Sequence, residues 1–199
     1  MALHAVEVAL QQAISTALGQ YQANAAALTP ALFANWPSDL QAQIAQSLGN
    51  ATTPIPVLLA YPLDTPVLPA VWIRPGPIQE TQEFIGEAIG WSGAVDTSGT
   101  LSQGSWDCLV AAPNANLILA LHSLVRWALF SQRDWLGANA QLVTQAVGGS
   151  PLTPITNSAG DVVFPFQRTT TLTGLVQDTW TAAPADLATA APLTITLAD

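Results

Sequence analysis

Ser92 sits in the run Gly90-Trp91-Ser92-Gly93-Ala94, and Asp107 and His122 follow it in the order many hydrolases use for their catalytic groups. That pattern would present a nucleophilic serine on a sharp turn between a strand and a helix. Two features argue against it. The closing glycine of the motif is replaced by Ala94, and only thirty residues separate Ser92 from His122. That is too short for the sheet that such folds build in between, so the run reads as a glycine-rich loop tip. Asp96-Thr97-Ser98-Gly99 resembles an aspartic-protease loop with one residue too many. A working dyad needs two such loops or a dimer, and no apolar strand precedes this one, so a turn is the better reading. Glu80, Glu83 and Glu87 are the one carboxylate cluster. On a strand, alternation puts Glu80 and Glu83 on opposite faces. A helix would bring them together, but Pro77 and Gly86 leave room for barely two turns. The cost of burying charge favours a solvated edge.

Metal and cofactor chemistry find no foothold either. His4 and His122 fall on different predicted helices, Cys108 points into the predicted core, and no pair has ligand spacing. Neither the P-loop nor the dinucleotide fingerprint is present. Seven tryptophans could form a sugar platform, but Trp72, Trp106 and Trp127 fall on predicted core elements, so packing or a subunit interface is the better reading. The expectation is therefore no catalytic residue, no cofactor, no metal and no enzymatic activity.

Composition points elsewhere. The 199 residues include no lysine, and the fixed positive charges are Arg74, Arg126, Arg133 and Arg168. Charged residues are 9% of the chain while 50% are hydrophobic, against about 25% charged in ordinary soluble domains. A free monomer keeps a mixed, charged surface, so much of this surface is expected to be covered by neighbours. A net charge of −9 with four scattered arginines disfavours binding to nucleic-acid phosphates or anionic lipids, which takes clustered Lys and Arg. A single cysteine permits no intrachain disulfide. Glu7 stands where a signal peptide would be apolar, and the apolar run Leu117 to Phe130 is too short and polar to span a bilayer. The expectation is an intracellular protein, or part of a particle assembled inside a cell.

These surfaces must be positioned by a fold. Leu3, Val6, Leu10, Ile14 and Leu18 recur at helical spacing, which predicts an amphipathic helix over residues 2 to about 24. Ser38 or Asp39 can cap a second helix carrying Leu40, Ile44 and Leu48, stopped by Gly49-Asn50. Prolines 54, 56, 62, 66 and 69 restrict any strand between them to a short or edge strand. Val71-Trp72-Ile73 reads as a strand, Pro75-Gly76-Pro77 as a turn, and residues 78–85 as the returning partner. Four glycines between Ile85 and Thr100 suggest a hairpin tip or a mobile loop. Trp106, Cys108 and Val110 alternate with Ser105, Asp107 and Leu109, a strand with one apolar face. Asn114 or Asn116 then starts a helix to about Phe130, apolar nearly all round, with a narrow polar stripe of His122, Arg126 and Arg133. One flank of it would pack on its sheet and another on a neighbouring subunit. Strands are expected over Gln141 to Val147 and Phe166 to about Thr179, joined by a long polar loop from Gly148 to Gly160. Leu193, Ile195 and Leu197 alternate with Thr194 and Thr196, a strand detached from the rest by an Ala/Pro spacer.

The order predicts an α+β fold, with an antiparallel or mixed β-sheet packed against α-helices. Residues 1–181 form a single domain, with 1–50 its helical segment and 68–181 its sheet and central helix, and 182–199 form an extended C-terminal arm. Leu68 to Ile73, Ser105 to Val110, the helix from Asn116 to Phe130 and the late strand from Arg168 to Thr179 together resemble the tail terminator proteins of tailed bacterial viruses. The likeness covers roughly residues 68 to 181 and rests on the order of elements. It implies a homohexameric ring in the virion that caps the tail tube, stops its growth and joins the neck. The ring's partners would be the tail tube and neck or connector proteins, with genome DNA passing through. The proline-rich first 65 residues and the Ala/Pro segment at the end depart from the family, which leaves open another neck, head–tail connector or tail-completion role. A non-viral oligomeric binding module is a further alternative.

Overall fold

The computed structural model describes residues 2–59, 67–80, 87–92, 95–156 and 162–182. The fold is α+β, a mixed sheet with helices laid on one face. Helix α1 (Ala2–Ala23) turns Val6, Leu10, Ile14, Leu18 and Tyr21 inward at i, i+4 and i, i+3 spacing, all buried. Helices α2 (Ala25–Leu32) and α3 (Ser38–Leu48) follow. The first of these was not expected from the sequence, because Pro30 interrupts its pattern. Neither Ser38 nor Asp39 caps α3. Pro37 is the flanking residue, and no side chain accepts from the first turn.

The sheet runs in the order β1 (Val57–Leu59), β2 (Ala70–Glu80), β4 (Val95–Ala111), β7 (Val162–Ala182), β5 (Leu142–Val147). Strand β3 (Glu87–Ser92) pairs with β4, and β6 (Thr153–Thr156) pairs with β7. β1 lies parallel to β2, a short edge strand as the prolines require, and every other pairing is antiparallel. The run Pro75-Gly76-Pro77 is not a turn, and residues 78–80 do not run back. β2 continues to Glu80 beside β4, with its register shifting between Pro75↔Trp106 and Ile78↔Gly104. One extra residue on the bulged strand absorbs the prolines, which cannot donate to a ladder. β2's true partner is β4, which begins at Val95 as the second arm of a hairpin with β3. The expected loop between Gly148 and Gly160 likewise contains β6, which pairs with the early part of β7.

Alternation assigns the faces. Val71, Ile73, Trp106, Cys108, Val110, Leu172 and Val176 join the helices in the main core. Across β4 and β7 the register is unbroken from Asp96↔Ala182 to Ala111↔Gln167, so Thr170 faces the core side with Leu172 while Thr169, Thr171 and Thr173 face the other. Helix α4 (Ala115–Ser131) starts where Asn114 accepts the Leu117 N–H at 3.0 Å, the cap the sequence offered. It packs against α1, α3, β4, β7 and α5 (Arg133–Ala140). The apolar sides of α4 are therefore covered within the chain in about equal part by the sheet and by the N-terminal helices. His122 is buried, Arg133 belongs to α5, and the exposed positions of α4 are Asn116, Ser123, Arg126, Phe130 and Ser131. Gln141, in the left-handed region at φ 51, ends α5 and turns the chain into β5. The detached strand expected at Leu193 to Leu197 lies outside the described residues.

Amide side chains tie the helical layer to the proline-rich segment. Gln22 Nε2 donates to the carbonyls of Asn50 and Thr53, both at 3.0 Å, and Gln11 Nε2 donates to Val57 O at 2.7 Å. Gln41 Nε2 holds Phe33 O and Trp36 O in the turn between α2 and α3. Elsewhere ion pairs often secure such contacts. Here uncharged donors satisfy carbonyls that no ladder reaches.

Candidate functional site

The residues that could have formed a hydrolytic constellation are separated by the sheet itself. Asp107 lies on the face away from the helices, opposite Arg74 on β2 and Thr171 on β7. Arg74 Nη2 donates to its Oδ2 in an ion pair, and Thr171 Oγ1 donates to its Oδ1 at 2.8 Å. Both carboxylate oxygens thus join three neighbouring strands, which leaves Asp107 a cross-strand clamp. His122 projects from α4 into the opposite layer. Ser92 closes the β3–β4 hairpin opposite Val95.

His122 is 2% exposed. Its Nε2 has no hydrogen-bond partner, and a Cβ built on Gly149 would lie 2.9 Å from it. Burial lowers its pKa to about 4, with Arg168 and then Arg126 adding to the shift and the Thr169 backbone opposing it. The ring is held neutral under the segment that follows β5. That segment is pinned to β7: Ser150 N–H donates to Thr169 O at 2.8 Å, Thr169 N–H to Ser150 Oγ at 3.0 Å, and Arg168 Nε to Ser150 O at 2.8 Å. Cys108 is fully buried, and burial followed by the charge of Asp107 raises its thiol to about 12. A thiol so raised is no nucleophile near neutral pH.

The carboxylate cluster resolves into strand positions. Glu80 stands opposite Ser102 on β2, and Glu87 opposite Gly99 on β3, along one edge of β4. Glu83 and the side chains of this region lie outside what is described, as does the side chain of His4. Among the described residues, no three His, Cys, Asp or Glu come together as a metal site, and no helix is long and apolar enough to cross a membrane. Trp106 is in the core, Trp72 is buried in a small cluster on the opposite face, and Trp127 is partly buried against the core.

What remains distinctive is the periphery. Large apolar side chains stand exposed at Val8 on α1 (44%), Leu58 on β1 (43%), Val67 before β2 (78%), Ile78 on β2 (41%), Phe130 on α4 (57%) and Val143 on β5 (59%). β1 and β5 are the two ends of the sheet order, and neither strand carries a charged residue. Single exposed apolar residues are common. The two terminal strands bring no charge to guard their edges, although β1 is only three residues long and β5 shifts register between Thr144 and Ala146, both of which blunt an edge. The sequence held this signal in the Val57-Leu58-Leu59 and Leu142 to Val147 runs, but which strands were terminal could not be read without the pairing.

No protein-family model matches the chain, and no curated protein matches it. Among solved structures, one similar chain comes from the "Virion of native gene transfer agent (GTA) particle", with 16% identity over 77% of this chain and 95% of that one. The TM-score is 0.31, a likeness too slight to bear on fold or function.

Proposed function

We propose that this chain is a non-catalytic structural protein of a tailed-phage virion, the subunit of a homohexameric ring that terminates the tail tube and meets the neck. The observation that carries the reading is the pair of uncharged strand edges, β1 and β5, at opposite ends of one sheet. A closed ring is built from heterologous contacts, in which one patch of each subunit meets a different patch of the next. A subunit of that kind needs two unlike adhesive surfaces facing different ways. The low charge of the chain supports the same reading, since 9% charged residues suit a surface that is covered after assembly. The resemblance of residues 68 to 181 to tail terminators supports a place for the ring on the tail.

Partners under this reading are other copies of the chain, the tail tube protein and neck or connector proteins. The test joins two measurements. Sedimentation and electron microscopy of the purified protein should show rings, or show them once tail tubes are added. Antibody-gold labelling of intact particles should mark the head-proximal end of the tail. A monomer at high concentration that joins no particle would refute the reading. Label at another neck position would move the protein to a different connector role.

A further inference from the structure

Between β5 and β6 runs a short connection, Gly148-Gly149-Ser150-Pro151, that carries no large apolar side chain. The residues on either side of it, Val147 and Leu152, pack against the core. Between them Gly148 and Gly149 are exposed, and the connection is held to β7 by polar contacts. Gly148 N–H donates to Thr171 O at 2.7 Å and Thr171 N–H to Gly148 O at 3.3 Å, which continues the edge pairing past the end of β5. The three bonds that join Ser150 to Thr169 and Arg168 complete the seam. Local opening costs least where little apolar surface is buried. A strap anchored at its two ends and fastened between them by hydrogen bonds can therefore lift while the core stays closed.

What lies beneath the strap gives that opening a trigger. His122 Nε2 is buried without a hydrogen-bond partner, and Gly149 is the residue over it. A Cβ on Gly149 would stand 2.9 Å from Nε2 and 3.1 Å from Cε1, so the strap closes on the ring with no room to spare. With the strap down, a proton on Nε2 would be a buried donor with no acceptor. It would also set a third positive charge beside Arg168 and Arg126, the two charges that act on the ring. Arg168 is itself a fastening of the strap, through Ser150 O. With the strap raised, water solvates the protonated ring and that conflict disappears. The strap has no titratable side chain of its own. On β4, Cys108 keeps its proton and Asp107 is bonded to Arg74 and Thr171 on the other side of the sheet. Asp96 and Asp178 stand at the far ends of β4 and β7. The remaining elements packed on α4 carry His4 and Glu7 on α1, Asp39 on α3, and Arg133 and Asp134 on α5, all of them kept in the variants below.

We infer that residues 148–151 form an acid-released strap: protonation of His122 favours a raised state in which the strap leaves β7 and bares the edge of that strand at Thr169 and Thr171. The device does not depend on ring formation. Its test is amide hydrogen exchange on the full chain at pH 7.5 and pH 5, with each rate divided by the chemical exchange rate at that pH. The N–H groups of Gly148, Ser150, Thr169 and Thr171 report the strap, and those of Leu124 and Val125 within α4 report the core. The strap set should exchange far faster than the core set at both pH values. Its opening should rise about thirtyfold at pH 5, the ratio expected when the ring takes its proton near 6.5 if raised and near 4 if closed. His122→Gln should remove that rise. Gly149→Ala, which drives a methyl group toward Nε2, should speed the strap set at pH 7.5, spare the core set and leave little further rise at pH 5. Gly149→Ala thus carries the test alone if the His122 variant does not fold. Strap amides that exchange only in step with the core set would overturn the inference. So would strap exchange in the parent chain that ignores pH, or a rise at pH 5 that survives either substitution.

Discussion

At the scale of single residues, the interior is tuned by what is missing as much as by what is present. Gly104 and Gly174 face each other across β4 and β7. A Cβ on Gly104 would fall 2.5 Å from the Trp106 ring, and one on Gly174 would fall 2.7 Å from Leu142 Cδ1. The bare pair makes the space into which the indole and the leucine fold. Gly104→Ala should therefore destabilise by about 1–3 kcal/mol through overpacking, against the usual gain of alanine over glycine in a strand, and a urea midpoint would show it. His122 gives a pH signature. The folded chain keeps it neutral down to about pH 4, while the unfolded chain takes up its proton near 6.5. Between those values the unfolded state binds more protons, so stability falls as pH drops through that window. His122→Gln should flatten this part of the curve relative to the parent protein, as read by urea unfolding at a series of pH values. Cys108 should resist maleimide at pH 7.5 in the folded protein and react fully in denaturant, measured by mass spectrometry.

At the scale of elements, Gln22 is the main tie between α1 and the segment at Asn50 and Thr53. Gln22→Ala should cost on the order of 1–2 kcal/mol for two lost, partly buried hydrogen bonds and should speed amide exchange near residues 50–53. The elements that were legible in the sequence are those whose periodicity is undisturbed. α1, the Trp106–Val110 stretch of β4 and α4 with its Asn114 cap carry strong apolar patterns of period near 3.6 or 2. The misreadings come from proline and glycine. Pro75-Gly76-Pro77 has the composition of a turn but sits in a bulge on a strand flanked by β4, and Pro30 hid α2. No local pattern distinguishes a proline that ends a strand from one that a bulge tolerates. The separation of Asp107 from His122 was legible in part, since the strand alternation put Asp107 off the core face. The clamp it forms with Arg74 and Thr171 depended on pairings between distant strands.

At the scale of the whole molecule, a chain so poor in cations has few attractive charge pairs to offer a neighbour. Assembly should then rest on apolar contact and strand pairing, and should change little between about 0.05 and 1 M salt, where exposed charge contacts are screened away. Sedimentation velocity at the two ionic strengths checks this, and a marked loss of association in high salt would contradict it. The β4–β7 pairing has a consequence for how the molecule comes into being. Its partners lie far apart along the chain, from Ala111 with Gln167 to Asp96 with Ala182, so the middle of the sheet closes only after the chain has been made as far as β7. Pairings of such long range make folding slow, and until β7 arrives β4 presents seventeen residues with a bare side to its surroundings. During synthesis the nascent protein is therefore a target for chaperones and a hazard for aggregation. How many subunits reach a particle would be governed by that interval as much as by the stability of the finished fold.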